Sequence, residues 1–212
     1  ALAGVGTVLL LYLIGVRVAS RGAALVSALA LATMFRFVTL ARMGLTDVPV
    51  LFFIVAALYG FVRSSQTGSR LVLAGAWISV GLGILTKGPV GLLPVVIWAT
   101  YAIATRDWVM FTRIRPLAGA PLAFAIVLPW YAVMIAEHGR VFVNFALGHE
   151  IFARVVSEAS FAPPRSAFYY LKVWPGDAAP WSVVFIAGAA WTVWRWPQLE
   201  RETRQPLLFA IA

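Results

Sequence analysis

The sequence predicts an all-α protein that crosses a membrane several times, and three observations carry that expectation. Of 212 residues, 62% are hydrophobic and only 12% are charged, about half the charged fraction of a soluble domain. Mean hydropathy is +0.89. The charges also gather in short clusters between apolar runs, several of them close to the length of roughly 20 residues that a spanning helix needs. With no cysteine in the chain, disulfides and thiolate metal sites are excluded. A net charge of +9 suits a nucleic-acid partner only when it forms a continuous basic face, and these clusters form none.

The apolar runs fall at 1–16, 22–40, 45–62, 70–86, 88–105, 116–136 and 178–194, and an eighth begins near 206. The first, ALAGVGTVLLLYLIGV, carries no charge before Arg17. Residues 48–62 (VPVLFFIVAALYGFV) are also uncharged, so Asp47 stands directly at their entrance, and Arg-Ser-Ser-Gln-Thr-Gly-Ser-Arg at 63–70 closes them as a basic loop. Residues 70–105 are too long for one helix. Thr86-Lys87-Gly88-Pro89 supplies the break, with Gly88 suited to a turn and Pro89 to the first turn of the next helix. About 40 residues at 137–176 separate the sixth and seventh runs, more than a plain connection uses. Inside them, Phe142, Phe145, His149, Phe152 and Val156 recur at helical steps, and Glu150, Arg154 and Glu158 are i,i+4 neighbours. This predicts an amphipathic helix over 140–158 lying in the membrane interface. The aromatics from Phe161 to Trp181 suit that depth too. The expected architecture is about seven spans plus the start of another, with the interfacial helix in a long outer loop at 137–176. The chain opens apolar without Met and stops within an apolar run, so it is expected to be an internal piece of a longer polytopic protein.

Charge sets the orientation. With loops alternating sides, one side holds ten arginines (17, 21, 63, 70, 106, 113, 115, 195, 201 and 204) and three acids. The other holds seven basic residues and five acids, with both histidines and both lysines. The positive-inside rule assigns the first side to the cytoplasm. Any chemistry is then expected on the outer side.

The runs ARMGLTDVPVLFF, LTKGPVGLLPV, LPWYAVMIAEHGRVFVNFALGHEIFARV and FYYLKVWPGDAAPW occur in that order. Together they resemble the polyprenyl-phosphate-sugar-dependent glycosyltransferases of the GT-C superfamily, which include aminoarabinose transferases for lipid A and protein O-mannosyltransferases. The resemblance covers nearly the whole chain. It implies a helical bundle in the bacterial inner membrane, with its active site on the periplasmic side. The bundle would move a sugar, with inversion, from a polyprenyl-phosphate carrier to a lipid, glycan or protein acceptor. It also implies that the main catalytic acid, on a first outer loop, and a C-terminal outer domain lie outside these 212 residues, so that the chain alone would be inactive. The chain departs from the family at Trp174-Pro-Gly-Asp-Ala-Ala, where an apolar run is expected, and Asp177 is an additional site carboxylate or a cap.

Each candidate residue has two readings. Thr46 or Asp47 caps the helix, with Pro49 in its first turn, or Asp47 is a supporting catalytic residue that orients an acceptor, binds a metal or pairs Arg42; these roles are compatible. Lys87 is an interfacial lysine reaching toward water, or it meets the carrier phosphate together with the amides of the helix that starts at Pro89. Arg42 shares the phosphate reading, since cations stabilise the charge that develops on the leaving phosphate. His149, Glu150 and Arg154 are a solvated i,i+4 face or a phosphate contact. Tyr170 is an interface anchor or touches sugar or phosphate. The spacing of His138, His149 and Glu150 is no recognised metal pattern, although a divalent cation would be compatible with the reading. A transporter or flippase is the rival class. It calls for internal repeats and polar groups near the midplane, whereas this chain shows no clear repeat and keeps its polar groups at one face.

Overall fold

The computed structural model describes residues 1–144, 168–199, 204 and 206–209. Among them every regular element is helical. In chain order these are α1 (Leu2–Val18), α2 (Arg21–Thr33), α3 (Phe35–Arg42), α4 (Asp47–Thr67), α5 (Arg70–Lys87), α6 (Leu93–Thr105), α7 (Trp108–Arg113), α8 (Pro116–Val143), α9 (Tyr169–Asp177) and α10 (Ser182–Arg195).

By length and composition three stretches can cross a bilayer: Asp47–Thr67, Arg70–Thr105 and Pro116–Val143. The pair α2–α3, bent by 57°, adds a fourth when taken as one span. Helix α1 is apolar but only 17 residues long, and α10 has 14. The break expected at Thr86–Pro89 is present. Gly88 has φ 58° and ψ −136°, a conformation that residues with a Cβ rarely hold. A short 3₁₀ turn, Gly88–Leu92, then leads into α6. Gly91 lies against Gly83 and Ile84, so the chain folds back on α5. The run at 22–40, expected to be continuous, breaks instead at Met34, whose ψ of 125° is extended. Gly139, at φ 56° and ψ −135°, ends the straight part of α8. The amphipathic helix expected at 140–158 falls mostly outside the described residues.

Helices α4 and α5 run antiparallel and form the centre, with α1 and α6 on α4 and α8 on α5. Small residues set their separation. A Cβ added at Gly60 on α4 would stand 2.6 Å from the Cβ of Ala76 on α5, and such close approach is how helices pack where lipid supplies no hydrophobic drive. At one end, Phe61, Trp77 and Trp98 form a buried aromatic cluster, with ring centroids 5.6 and 5.8 Å from Phe61. Both indoles donate outward to the α6–α8 connection: Trp77 Nε1 to Ile114 O and Trp98 Nε1 to Met110 O, each at 2.8 Å. Every buried polar group must find such a partner where water is absent. Leu2, Leu71 and Leu117, 87% or more exposed, suit contact with lipid tails.

Candidate functional site

The site forms where α4 begins and α5 ends. Because the two helices are antiparallel and joined by the short turn at Gly68, residues 47 and 87 return to the same end of the bundle. Asp47 occupies the first turn of α4 and Lys87 the last of α5, so each charge opposes the partial charge of its own helix terminus. Their side chains meet: Lys87 Nζ donates to Asp47 Oδ1. Both remain about one-third to two-fifths exposed. A pair this wet contributes only about 0–1 kcal/mol to stability. Of the three N–H donors on Lys87, the pair uses one.

These contacts correct two expectations. Thr46 sits at the N-cap position of α4 without a side-chain cap bond, and the partner of Asp47 is Lys87, not Arg42. The segment beginning at Pro89 is a five-residue 3₁₀ turn, and the Gly88 N–H is already bonded to Ile84 O. It offers no helix N-terminus to an anion, so Lys87 carries that corner by its side chain.

Arg42 is placed differently. It is the last residue of α3, exposed, and it lines a groove of about 720 Å³ with Phe35, Val38, Thr39, Met43 and the Ala179-Pro180 segment. Two hydrogen bonds fasten that segment to the α2–α3 break. Phe35 N–H donates to Ala179 O at 3.0 Å, and Trp181 Nε1 donates to Thr33 Oγ1 at 2.7 Å. The bend at Met34 frees the Phe35 amide for the first of these bonds. Sequence reasoning missed both the bend and the docking, since Thr33-Met-Phe carries neither Gly nor Pro; Trp181 is visible in the sequence but its partner is not. Asp177 ends α9 half-buried. His149, Glu150 and Arg154 lie outside the described residues. Tyr170 lies in α9, and its side chain is outside the description too.

The arrangement is one face of a helical bundle that holds a tethered ammonium and a guanidinium beside an apolar groove. Such a combination suits an amphiphile with an anionic head and a hydrocarbon tail. Residues 1–132 match the family of dolichyl-phosphate-mannose-protein mannosyltransferases. The chain belongs to this family. Its fold also has relatives of known structure. The crystal structure of ArnT from Cupriavidus metallidurans bound to undecaprenyl phosphate superposes with a TM-score of 0.81 at 26% identity, over 99% of this chain and 38% of that one. The apo structure of the same protein gives 0.78 at 24% identity, likewise over 99% of this chain and 38% of that one. In sequence, the chain is 31% identical over 194 residues to the undecaprenyl phosphate-alpha-4-amino-4-deoxy-L-arabinose arabinosyl transferase of Erwinia tasmaniensis, over 88% of this chain and 34% of that protein. It is 28% identical over 212 residues to an uncharacterized protein of Aquifex aeolicus, over 99% of this chain and 40% of that one. The chain thus spans between a third and two-fifths of the relatives it matches.

Proposed function

We propose that this chain is the carrier-binding part of an inverting membrane glycosyltransferase. It would take a sugar from a polyprenyl-phosphate carrier at the outer face of the membrane and pass it to a lipid, glycan or protein acceptor. The observation that carries the reading is the Lys87–Asp47 pair at the same end of the bundle as Arg42 and its apolar groove. Membership of the mannosyltransferase family, and likeness to a protein crystallised with undecaprenyl phosphate, support it. In this reading the chain crosses the membrane seven times, with α5 and α6 as separate crossings.

In the reaction, an acceptor hydroxyl oxygen bonds to the anomeric carbon as the bond from that carbon to the phosphate oxygen breaks. Negative charge grows on the departing phosphate, and groups already aimed there stabilise it most. The two free donors of Lys87 are such groups, held in place by Asp47, and Arg42 adds a second cation. The proton of the hydroxyl passes to a base that the family resemblance places outside these 212 residues. Asp47 is then a positioning residue, and a divalent cation is compatible with these steps.

The test is saturable binding of a polyprenyl-phosphate sugar to the purified full-length parent, compared with Lys87→Ala and Arg42→Ala. Weaker binding in either variant is the expected result. A folded parent that binds no carrier would overturn the transferase reading in favour of transport.

A further inference from the structure

At the end of the bundle opposite Lys87 lies a second cavity of about 420 Å³. It is lined by the end of α4 (Ser64, Ser65), the start of α5 (Arg70), the end of α7 (Thr112, Arg113) and Arg115, which precedes α8. Helix α4, at 21 residues, is about 31 Å long, so this cavity and the Asp47–Lys87 corner are about one hydrocarbon thickness apart.

Its charge is one-signed. Three arginines face the cavity and no carboxylate lines it. Among the described residues none of the three has an ion-pair partner; the one ion pair there is Lys87–Asp47. Among the described residues the one side-chain hydrogen bond of the three is weak, Arg113 Nη1 to Met110 Sδ at 3.9 Å. Two of these arginines also sit where a cation is disfavoured. Arg70 is the first residue of α5 and Arg115 the N-cap of α8, at helix ends of positive partial charge, and neither helix has an acidic residue in its first turn. Arg115 further holds a left-handed backbone, φ 45° and ψ 61°, with no side-chain capping bond. All three are exposed; the positive-inside rule accounts for arginines at this end, but not for three from separate elements lining one cavity.

We propose that this cavity binds a phosphate group at the membrane face opposite the transfer site, with Arg70, Arg113 and Arg115 as its ligands. Guanidinium groups are suited to phosphate oxygens by their planar, forked donors. At this depth the phosphate belongs to an anionic lipid headgroup or to a free phosphate in the aqueous phase. The proposal does not depend on the transferase reading.

The experiment uses the full-length parent in nonionic detergent, titrated by native mass spectrometry with short-chain phosphatidylglycerol and, separately, by calorimetry with inorganic phosphate. The cavity pair Arg113→Gln/Arg115→Gln is compared with Arg21→Gln/Arg106→Gln, which removes the same charge from the same end but outside the cavity. Arg70→Gln replaces the cavity pair should that variant fail to fold. Saturable binding that falls ten-fold or more in the cavity variant, and less than three-fold in the control, is expected. Saturation by phosphatidylglycerol alone assigns a lipid headgroup, and saturation by inorganic phosphate as well assigns a free phosphate. An equal loss in both variants, or no saturable binding of either probe, overturns the site.

Discussion

Replacing Lys87 by Ala removes a cation and also releases a carboxylate. In the native pair Lys87 Nζ donates to Asp47 Oδ1, so a phosphate arriving at this corner meets an ammonium whose neighbour largely cancels it at long range. Up close, the two free donors of Lys87 still matter. A hydrogen bond to a charged group is worth about 1.5–3 kcal/mol, so losing it should weaken carrier binding roughly 10- to 150-fold. The single variant should lose more than this. Its unpaired Asp47 would face the phosphate at a separation of about 6 Å, where two like charges repel by about 0.7 kcal/mol in water and about 3 kcal/mol near a protein surface. The double variant Lys87→Ala/Asp47→Asn removes that repulsion and should bind the carrier at least three-fold more tightly than Lys87→Ala alone. Equilibrium binding of a fluorescent polyprenyl-phosphate sugar to the full-length parent, run as a double-mutant cycle, reads all four affinities. The pair contributes about 0–1 kcal/mol to folding, so all four proteins should unfold within a few degrees of one another. If Lys87→Ala binds as the native protein does, or the double variant binds no better than Lys87→Ala, the phosphate is not beside Lys87.

Asp47→Asn alone should leave carrier affinity unchanged or slightly higher, while turnover falls ten-fold or more because Lys87 is no longer held; unchanged turnover would remove Asp47 from the site. Trp77→Phe should destabilise the bundle by about 1–3 kcal/mol, since it leaves the buried Ile114 carbonyl without its donor. Thermal unfolding in detergent measures this, and a midpoint equal to the native one would show that the bond contributes nothing. Cysteines placed at Leu45, just before α4, and at Thr67, its last residue, both exposed, should react unequally with an impermeant thiol reagent applied outside cells. Residue 45 should label and residue 67 should not, and the reverse would invert the orientation drawn from the arginine distribution.

Much of this molecule was readable along the chain because the cues are local. The helical class follows from the uncharged lengths between arginine clusters, since a chain in lipid must satisfy its backbone within its own helices. The reversal at Thr86–Pro89 was legible because Gly88 needs a positive φ and Pro89 suits the turn after it. Asp47 and Lys87 each stood out singly, as charges at the mouths of apolar runs.

Their pairing was not legible. Forty residues separate them, and only the antiparallel packing of α4 on α5, set by Gly60 against Ala76, returns both to one corner. Arg42, nearer to Asp47 in sequence, was the more obvious partner; the turn through Gly44 and the end of α3 give it to the groove instead. The bend at Met34 is likewise tertiary, fastened by the Ala179 carbonyl and the Trp181 indole from the far end of the chain. The sequence by itself determined that the chain is helical and where most of its apolar segments lie, through hydropathy and backbone geometry that act over a few residues. Which charge meets which, and which arginines line one cavity, depends on how helices pack against one another, and that only the packed bundle decides.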